Sequence, residues 1–246
     1  MTVATTVLIT GANRGLGYGL AEVYLARPNH IVIGAVRNPD TAGALEALTK
    51  GEGSSLIIVK IDSLSESDPA ATIEAVKTQG ITALDIVIAN AGISQVFPQA
   101  HDVEISDLLR HLQVNVFGVI LLFKAVRPLL LAAKEPKFVT LGSSAGSLSE
   151  MATRNFPNSV YGTSKAALNY ITLKIHFENP TLTAFPVDPG WVQTDMGNTG
   201  AQSLGLNKAE IEVNTSVLGM IGVIDAADRE NMSGKFMHYD GTAKPW

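Results

Sequence analysis

The 246-residue chain contains no cysteine, which excludes disulfide cross-links, thiolate zinc sites and a cysteine nucleophile, and removes any argument for an oxidising compartment. Basic residues are in short supply: 18 Lys and Arg stand against 23 Asp and Glu, a formal net charge of -5. Affinity for nucleic acid rests on a basic face that neutralises phosphates, so nucleic acid is not an expected partner and any bound anion must be held by a local device. Long apolar runs are scarce too. The longest uncharged one, around Val116 to Phe123, is too short to cross a bilayer and is followed by Lys124 and Arg127. It reads as a buried helix, and no membrane association is expected. From Met1 to Thr6 there is no basic region followed by an apolar segment of signal-peptide length, so a cytoplasmic address is expected. His30, His101, His111, His176 and His238 fall on different segments without ligand spacing, so no metal is expected.

What is present is an alternation. Short β-branched runs recur at Thr6 to Thr10, Ile31 to Ile33, Leu56 to Ile61, Asp85 to Ala89, Phe138 to Leu141, Leu182 to Phe185 and Lys235 to His238. Between them lie segments of helical period: Gly15 to Arg27, Asp40 to Lys50, Ser65 to Gln79, Ser106 to Ala133, Val160 to Glu178 and Asn207 to Ala227. Continuous apolar strands imply burial on both faces, and the intervening segments are long enough for crossover helices. The expected architecture is α/β: one doubly wound, seven-stranded parallel sheet flanked by helices. No linker or repeat interrupts the chain, so residues 1–246 are expected to form a single domain.

The first strand runs directly into Thr10-Gly-Ala-Asn-Arg-Gly-Leu-Gly17, after which the helical period begins. This is the strand, glycine turn and helix expected of a dinucleotide site. Gly11 permits a tight turn, while Gly15 and Gly17 remove side chains where the backbone must approach a pyrophosphate at the N–H-rich start of a helix. The spacing departs from G-x-G-x-x-G, with Leu20 where the last glycine would stand. A plain glycine loop remains the alternative for these residues taken alone.

Taken with four later motifs, the loop resembles that of the short-chain dehydrogenase/reductase family. Those motifs are Asn90-Ala-Gly92, Asn115, Tyr161-Gly-Thr-Ser-Lys165, and Asp188-Pro-Gly190 with Thr194, in family order along nearly the whole chain. The resemblance implies a Rossmann domain that binds a nicotinamide coenzyme through Gly11, Asn13, Arg14, Gly15, Leu16, Gly17, Asn90, Ala91, Gly92, Pro189, Gly190, Val192 and Thr194. Asp62 resembles the residue that hydrogen-bonds adenine, although an Asp ending a strand also forms turns. After the second strand an acidic side chain would accept from a ribose 2′-OH, whereas a guanidinium would pair with a 2′-phosphate. Here that strand ends in Arg37, no carboxylate follows until Asp40, and Arg14 lies in the glycine loop. NADP(H) is the expected cofactor.

For catalysis, a Tyr with an ordinary pKa near ~10 needs a nearby positive charge to exchange protons at neutral pH. Lys165 lies four residues after Tyr161, on the same face of a helix beginning near Val160. The resemblance implies that Tyr161 is the proton donor and, with Lys165, a coenzyme-binding residue, and that Lys165 holds the nicotinamide ribose and lowers the Tyr161 pKa. It also implies that Asn115 supports, through its backbone, a water that resupplies protons. A Ser within Gly142-Ser-Ser-Ala-Gly146 would orient the substrate oxygen; aligning the final glycine selects Ser143, with Ser144 as the alternative. Ser143 and Tyr161 lie 18 positions apart, about five more than is usual in the family, so Ser147 to Ser159 is expected to bulge over the substrate.

The expected reaction is therefore NADPH-dependent reduction of a ketone, or its reverse, on a small apolar or aromatic molecule. The alternatives are a non-redox natural-product cyclase and an NADP(H)-sensing module on the same fold. Loops beyond the strand ends offer Ile93, Ser94, Val96, Phe97, Ala145, Met151, Phe156, Trp191 and Met196 to the substrate, and residues 197–210, rich in small side chains, are expected to form a lid. Phe177-Glu-Asn179, Val192-Gln-Thr-Asp-Met-Gly197 and Pro245-Trp246 resemble the fungal norsolorinic acid ketoreductase branch of the family, which implies a polyketide-like aryl ketone. The helices from Ser106 and Val160 are expected to pair across a two-fold axis in a homodimer or homotetramer, as in many family members.

Overall fold

The computed structural model describes residues 4–153 and 156–246; Met1 to Val3 and two residues of the 147–159 segment lie outside the described residues. Among the described residues, eight strands form one sheet: β1 (Thr5–Thr10), β2 (His30–Val36), β3 (Ser55–Lys60), β4 (Ile86–Ala89), β5 (Lys137–Leu141), β6 (Thr183–Asp188), β7 (Phe236–His238) and β8 (Ala243–Lys244). Their order is β3-β2-β1-β4-β5-β6-β7-β8, with every pairing parallel except β7 with β8. The strand order therefore reverses direction between β1 and β4, and ligands of open α/β sheets bind in the crevice that opens there beyond the strand C-termini.

All seven expected strands form, and β8 is an addition to them. A tight turn produces it: Gly241 has φ +87°, and one Asp240 carboxylate oxygen accepts from both the backbone N–H and the hydroxyl of Thr242. The chain reverses onto β7 for only two residues, too few to leave a period in the sequence.

The helices are α1 (Gly15–Ala26), α2 (Gly43–Glu46), α3 (Asp68–Thr78), α4 (Ile105–Leu112), α5 (Gly118–Leu130), α6 (Ser159–Glu178), α7 (Asp195–Ser203) and α8 (Val213–Ala226). Strand side chains alternate between two cores. Val7 and Ile9 of β1 pack with Leu20 and Tyr24 of α1 and with Met220 and Ile224 of α8. Leu8 faces the opposite way, toward Ile73 of α3, Leu122 and Val126 of α5, and Leu168 of α6. Each such fully buried aliphatic or aromatic side chain contributes about 1.5–3 kcal/mol.

Three sequence expectations change here. The expected helix from Asp40 to Lys50 shrinks to a 3-10 turn (Pro39–Thr41), which Asn38 caps by accepting from the Asp40 N–H, and the single turn α2. The expected helix from Asn207 starts only at Val213, because Ile211 is drawn into a parallel bridge with Val192. The helix expected over Ser106 to Ala133 is continuous but contains a π-helical turn (Gln113–Phe117) between α4 and α5. By length and composition this run, Ile105–Leu130, is apolar enough to cross a membrane, yet its Val119, Leu122, Val126 and Leu129 are buried against the sheet.

Candidate active site

At the end of β1 the chain turns through Gly11 at φ +65° and Gly15 at φ +54°, conformations that L side chains rarely adopt. A Cβ on Gly17 would overlap the Gly11 carbonyl, so this glycine lets α1 close against the loop and does not itself face the cleft. Arg14, the residue before α1, makes no side-chain cap, so the free N–H groups of the first helical turn remain available to an anion. Thr10 and Asn90 brace the loop from behind. The Thr10 hydroxyl accepts from the N–H groups of Asn90 (3.1 Å) and Ala91 (3.0 Å), and the Asn90 amide donates to the carbonyls of Thr10 (2.7 Å) and Gly11 (3.2 Å). The glycines and the exposed first turn suit a dinucleotide pyrophosphate, and the backbone that would hold it is already fixed.

A single cleft of about 640 Å³ runs from this loop, past the ends of β4 and β5, to α7. Of the coenzyme residues named from the sequence, Gly11, Asn13, Arg14, Gly15, Leu16, Arg37, Asp62, Asn90, Ala91, Gly92, Pro189 and Thr194 all line it, together with Tyr161 and Lys165. Gly17, Gly190 and Val192 do not. Gly190, at φ +75°, packs against Ile211 and Tyr239, and Val192 is buried in its bridge to Ile211. Asp62 also forms the turn foreseen for it, accepting from the Leu64 N–H.

The reacting end is built on α6, which carries Tyr161 and Lys165 one turn apart. The Lys165 ammonium lies 5.6 Å from the centre of the Tyr161 ring and donates to the Leu141 carbonyl at 2.7 Å. Burial pushes the Lys165 pKa down to about 8, opposed by the negative charge of Asp188. Burial pushes Tyr161 up to about 12, opposed by a hydrogen bond from Ser143 and reinforced by Asp188. Without coenzyme, the pair is a neutral phenol beside an ammonium that gives up its proton readily.

Ser143 and Ser144 are now distinguishable. The Ser144 hydroxyl is committed to the Asp188 carboxylate, to which its N–H also donates, and the residue is buried. Ser143 accepts from the Ala145 N–H and keeps its interaction with Tyr161, although it does not line the cleft as now shaped. Asn115 stands behind the cleft. Its amide donates to the Ile93 carbonyl (2.9 Å) and the Ser164 hydroxyl (2.9 Å), and its Oδ1 accepts from the Ile93 N–H (2.8 Å). The side chain thereby braces the segment after β4 against α6 from within the π-helical turn, a feature that recurs at functional sites.

The segment expected to bulge over the substrate is described in part, since two of its residues lie outside the described ones. None of residues 147–153 lines the cleft; instead the segment is tied to the end of the sheet. The Ser149 N–H donates to the Trp246 carbonyl, the Ser147 hydroxyl donates to the Pro245 carbonyl, and Lys244 pairs with Glu150 at 3.6 Å. Of the substrate-side candidates, Ile93 and Met196 reach the cleft. Phe97 and Trp191 lie beneath α7 beside Gly200, and the Trp191 indole donates to the Gly197 carbonyl. Half of the stretch expected as a lid, residues 197–203, lies in this helix, whose start is capped by Thr194, its hydroxyl accepting from the Gly197 N–H. Gly197 and Gly200 hid its helical period from the sequence.

Sequence reasoning missed Gln95, Arg110, Gln193 and Asn198, which also line the cleft. The four-residue step from Arg110 to Val114 was the available signal for Arg110; Gln95 and Gln193 lie on loops without a period, and Asn198 lies in α7. It also missed His111, buried in α4, whose Nε2 accepts from the Gln95 N–H and so fixes the segment after Gly92.

Residues 5–204 match the family model described as short chain dehydrogenase. The chain is 44% identical to the norsolorinic acid ketoreductase stcE of Emericella nidulans over 98% of this chain and 94% of that protein. It is 43% identical to the norsolorinic acid ketoreductase of Aspergillus parasiticus over 98% and 91%. Among solved structures it resembles an NADPH-bound carbonyl reductase from chicken fatty liver, with a TM-score of 0.86 and 26% identity over the whole of both chains.

Proposed function

The chain belongs to the short chain dehydrogenase family and is an oxidoreductase, and we propose that it is an NADPH-dependent reductase of an apolar, aryl or polyketide-like ketone. The observation that carries this reading is the continuity of one cleft, with a glycine loop open to an anion at one end and the Tyr161–Lys165 pair at the other. Bound NADPH would supply the hydride taken up by the carbonyl carbon. Ser143 orients the carbonyl oxygen, and as negative charge develops there the Tyr161 O–H bond breaks and its proton passes to that oxygen. The Lys165 charge then stabilises the phenolate left behind, while Asn115 keeps α6 and the segment after Gly92 in register. A phenol held neutral by burial suits the direction in which a proton is given, which favours reduction.

Arg37, just beyond the end of β2, and Arg14, just before α1, both line the cleft, and no acidic residue follows Arg37 in sequence before Asp40, which supports NADPH over NADH. Arg14 meets Asp195 at 3.7 Å, but both side chains are largely exposed, so this pair is weak and a 2′-phosphate displaces it readily. Ile93, Leu141, Met196 and Val213 give the cleft apolar wall, and the two fungal relatives are named norsolorinic acid ketoreductases.

The test is NADPH consumption against a panel of aryl ketones, quinones and aliphatic carbonyls, in wild type and Tyr161→Phe. Loss of a positioned general acid is expected to lower kcat/KM by about 10²–10⁴-fold with NADPH binding unchanged; equal rates would remove Tyr161 from the mechanism. The pH profile is a second expectation. Reduction needs Lys165 charged and Tyr161 protonated, so the rate falls as pH rises through about 8, where Lys165 loses its proton, while Tyr161, pushed up to about 12, remains protonated.

A further inference from the structure

Tyr161, Lys165 and Asn169 occupy successive turns of α6 and share one face. The first two have roles in the reading above. Asn169 has none, yet it is only 4% exposed, and neither its Nδ2 nor its Oδ1 has a hydrogen-bond partner among the described residues. An amide buried unsatisfied costs about 1–3 kcal/mol, and protein interiors meet such groups with an ordered water held by two to four polar atoms. Gly142 lies directly opposite: a Cβ added there would come within 3.3 Å of Asn169 Oδ1, 3.1 Å of Pro186 and 2.9 Å of the Phe236 ring. The strand end beside the amide therefore has no side chain of its own with which to answer it.

What Gly142 joins gives this placement its consequence. On one side is Leu141, whose carbonyl receives the Lys165 ammonium; on the other is Ser143, whose hydroxyl interacts with Tyr161. The Gly142 N–H is already spent on the Val187 carbonyl at 2.8 Å. Of the carbonyls of this bend, that of Leu141 accepts from Lys165 and that of Ser143 from the Gly146 N–H, which leaves the Gly142 carbonyl to a water held by the amide. We infer that Asn169 is a positioning residue of the catalytic site: through one internal water, its amide holds the Leu141–Ser143 bend against which Lys165 is docked and from which Ser143 is presented. The inference rests on the reductase reading of that site and extends it one helical turn inward. The titratable groups that face Lys165 are Tyr161 on its own helix and Asp188 at the end of β6.

Two substitutions test it. Asn169→Leu removes both polar atoms at nearly constant volume, and Asn169→Asp keeps the shape while adding a charge. The first readout uses ¹³C-lysine-labelled protein free of coenzyme, with the Lys165 signal assigned by its loss in Lys165→Arg. The Lys165 titration midpoint is expected to move to lower pH in Asn169→Leu, where hydration is lost, and to higher pH in Asn169→Asp, where a carboxylate is added. The second readout is turnover: kcat for ketone reduction falls about tenfold in Asn169→Leu, with the NADPH dissociation constant within about twofold and the melting temperature unchanged or raised. Unmoved Lys165 midpoints in both variants would overturn the inference. So would a kcat loss that only tracks the folded fraction in a thermal melt. Should Asn169→Leu not fold, the direction of the midpoint shift in Asn169→Asp decides. If the wild type reduces no ketone at all, the reductase reading fails, and the coenzyme-free titration still judges Asn169.

Discussion

The two ends of the cleft are built from different materials. At the coenzyme end the contacts come from backbone at the C-termini of β1 and β4, locked by Thr10 and Asn90 and allowed by glycines at positive φ or in close approach to backbone. At the substrate end they come from α7, from the loop after Gly92 and from loop side chains such as Gln193 and Met196. Backbone architecture requires particular residues at particular spacings, whereas a side-chain wall tolerates many sequences. The first end can therefore be read from sequence as a motif, and the second cannot.

That contrast explains what was legible. The seven parallel strands, the glycine loop and the Tyr161–Lys165 step each have a period or a forced spacing behind them, and the structure places them as expected. α7 was hidden because Gly197 and Gly200 weaken its apolar period, and β8 because two residues carry none. The path of the segment after Ser143 was hidden for another reason. Its unusual length was visible, but its anchors, Lys244, Pro245 and Trp246, lie about a hundred residues away and are brought together only by the β7–β8 hairpin. The choice between Ser143 and Ser144 likewise needed Asp188, which reaches Ser144 across the β5–β6 pairing.

The comparison can be broken at either end. The largest effect is expected from Gly17→Ala, whose Cβ has no room beneath the Gly11 carbonyl. Overpacking of this kind costs about 1–3 kcal/mol, or roughly 2–4 °C of melting temperature for each kcal/mol in a chain of this size. NADPH binding should fall with it; a variant that melts and binds like wild type would show that the loop is soft. Next comes Arg37→Ala, expected to shrink the preference for NADPH over NADH by about tenfold, the low end for a charge-assisted hydrogen bond at an exposed site. An unchanged ratio, measured by titrating both coenzymes, would leave the 2′-phosphate to other groups. The smallest effect is expected from Trp246→Ala. It removes the stacking on Phe236, worth about 0.5–1.5 kcal/mol, and loosens the 147–150 anchor, so the melting temperature drops by a few degrees. Because that segment folds away from the cleft, KM for ketones should change by less than about threefold, the scale of a fraction of a kcal/mol. A tenfold rise in KM would return the segment to the substrate wall.

The central claim is direct hydride transfer to a ketone within this cleft. Reduction of an aryl ketone with NADPH deuterated at the transferred C4 position, followed by mass spectrometry and NMR of the alcohol, tests it most directly. The account predicts one deuterium on the carbinol carbon of the wild-type product, with kcat/KM reduced in Tyr161→Phe. Product without deuterium at that carbon, or coenzyme bound but never consumed across the panel, would contradict it.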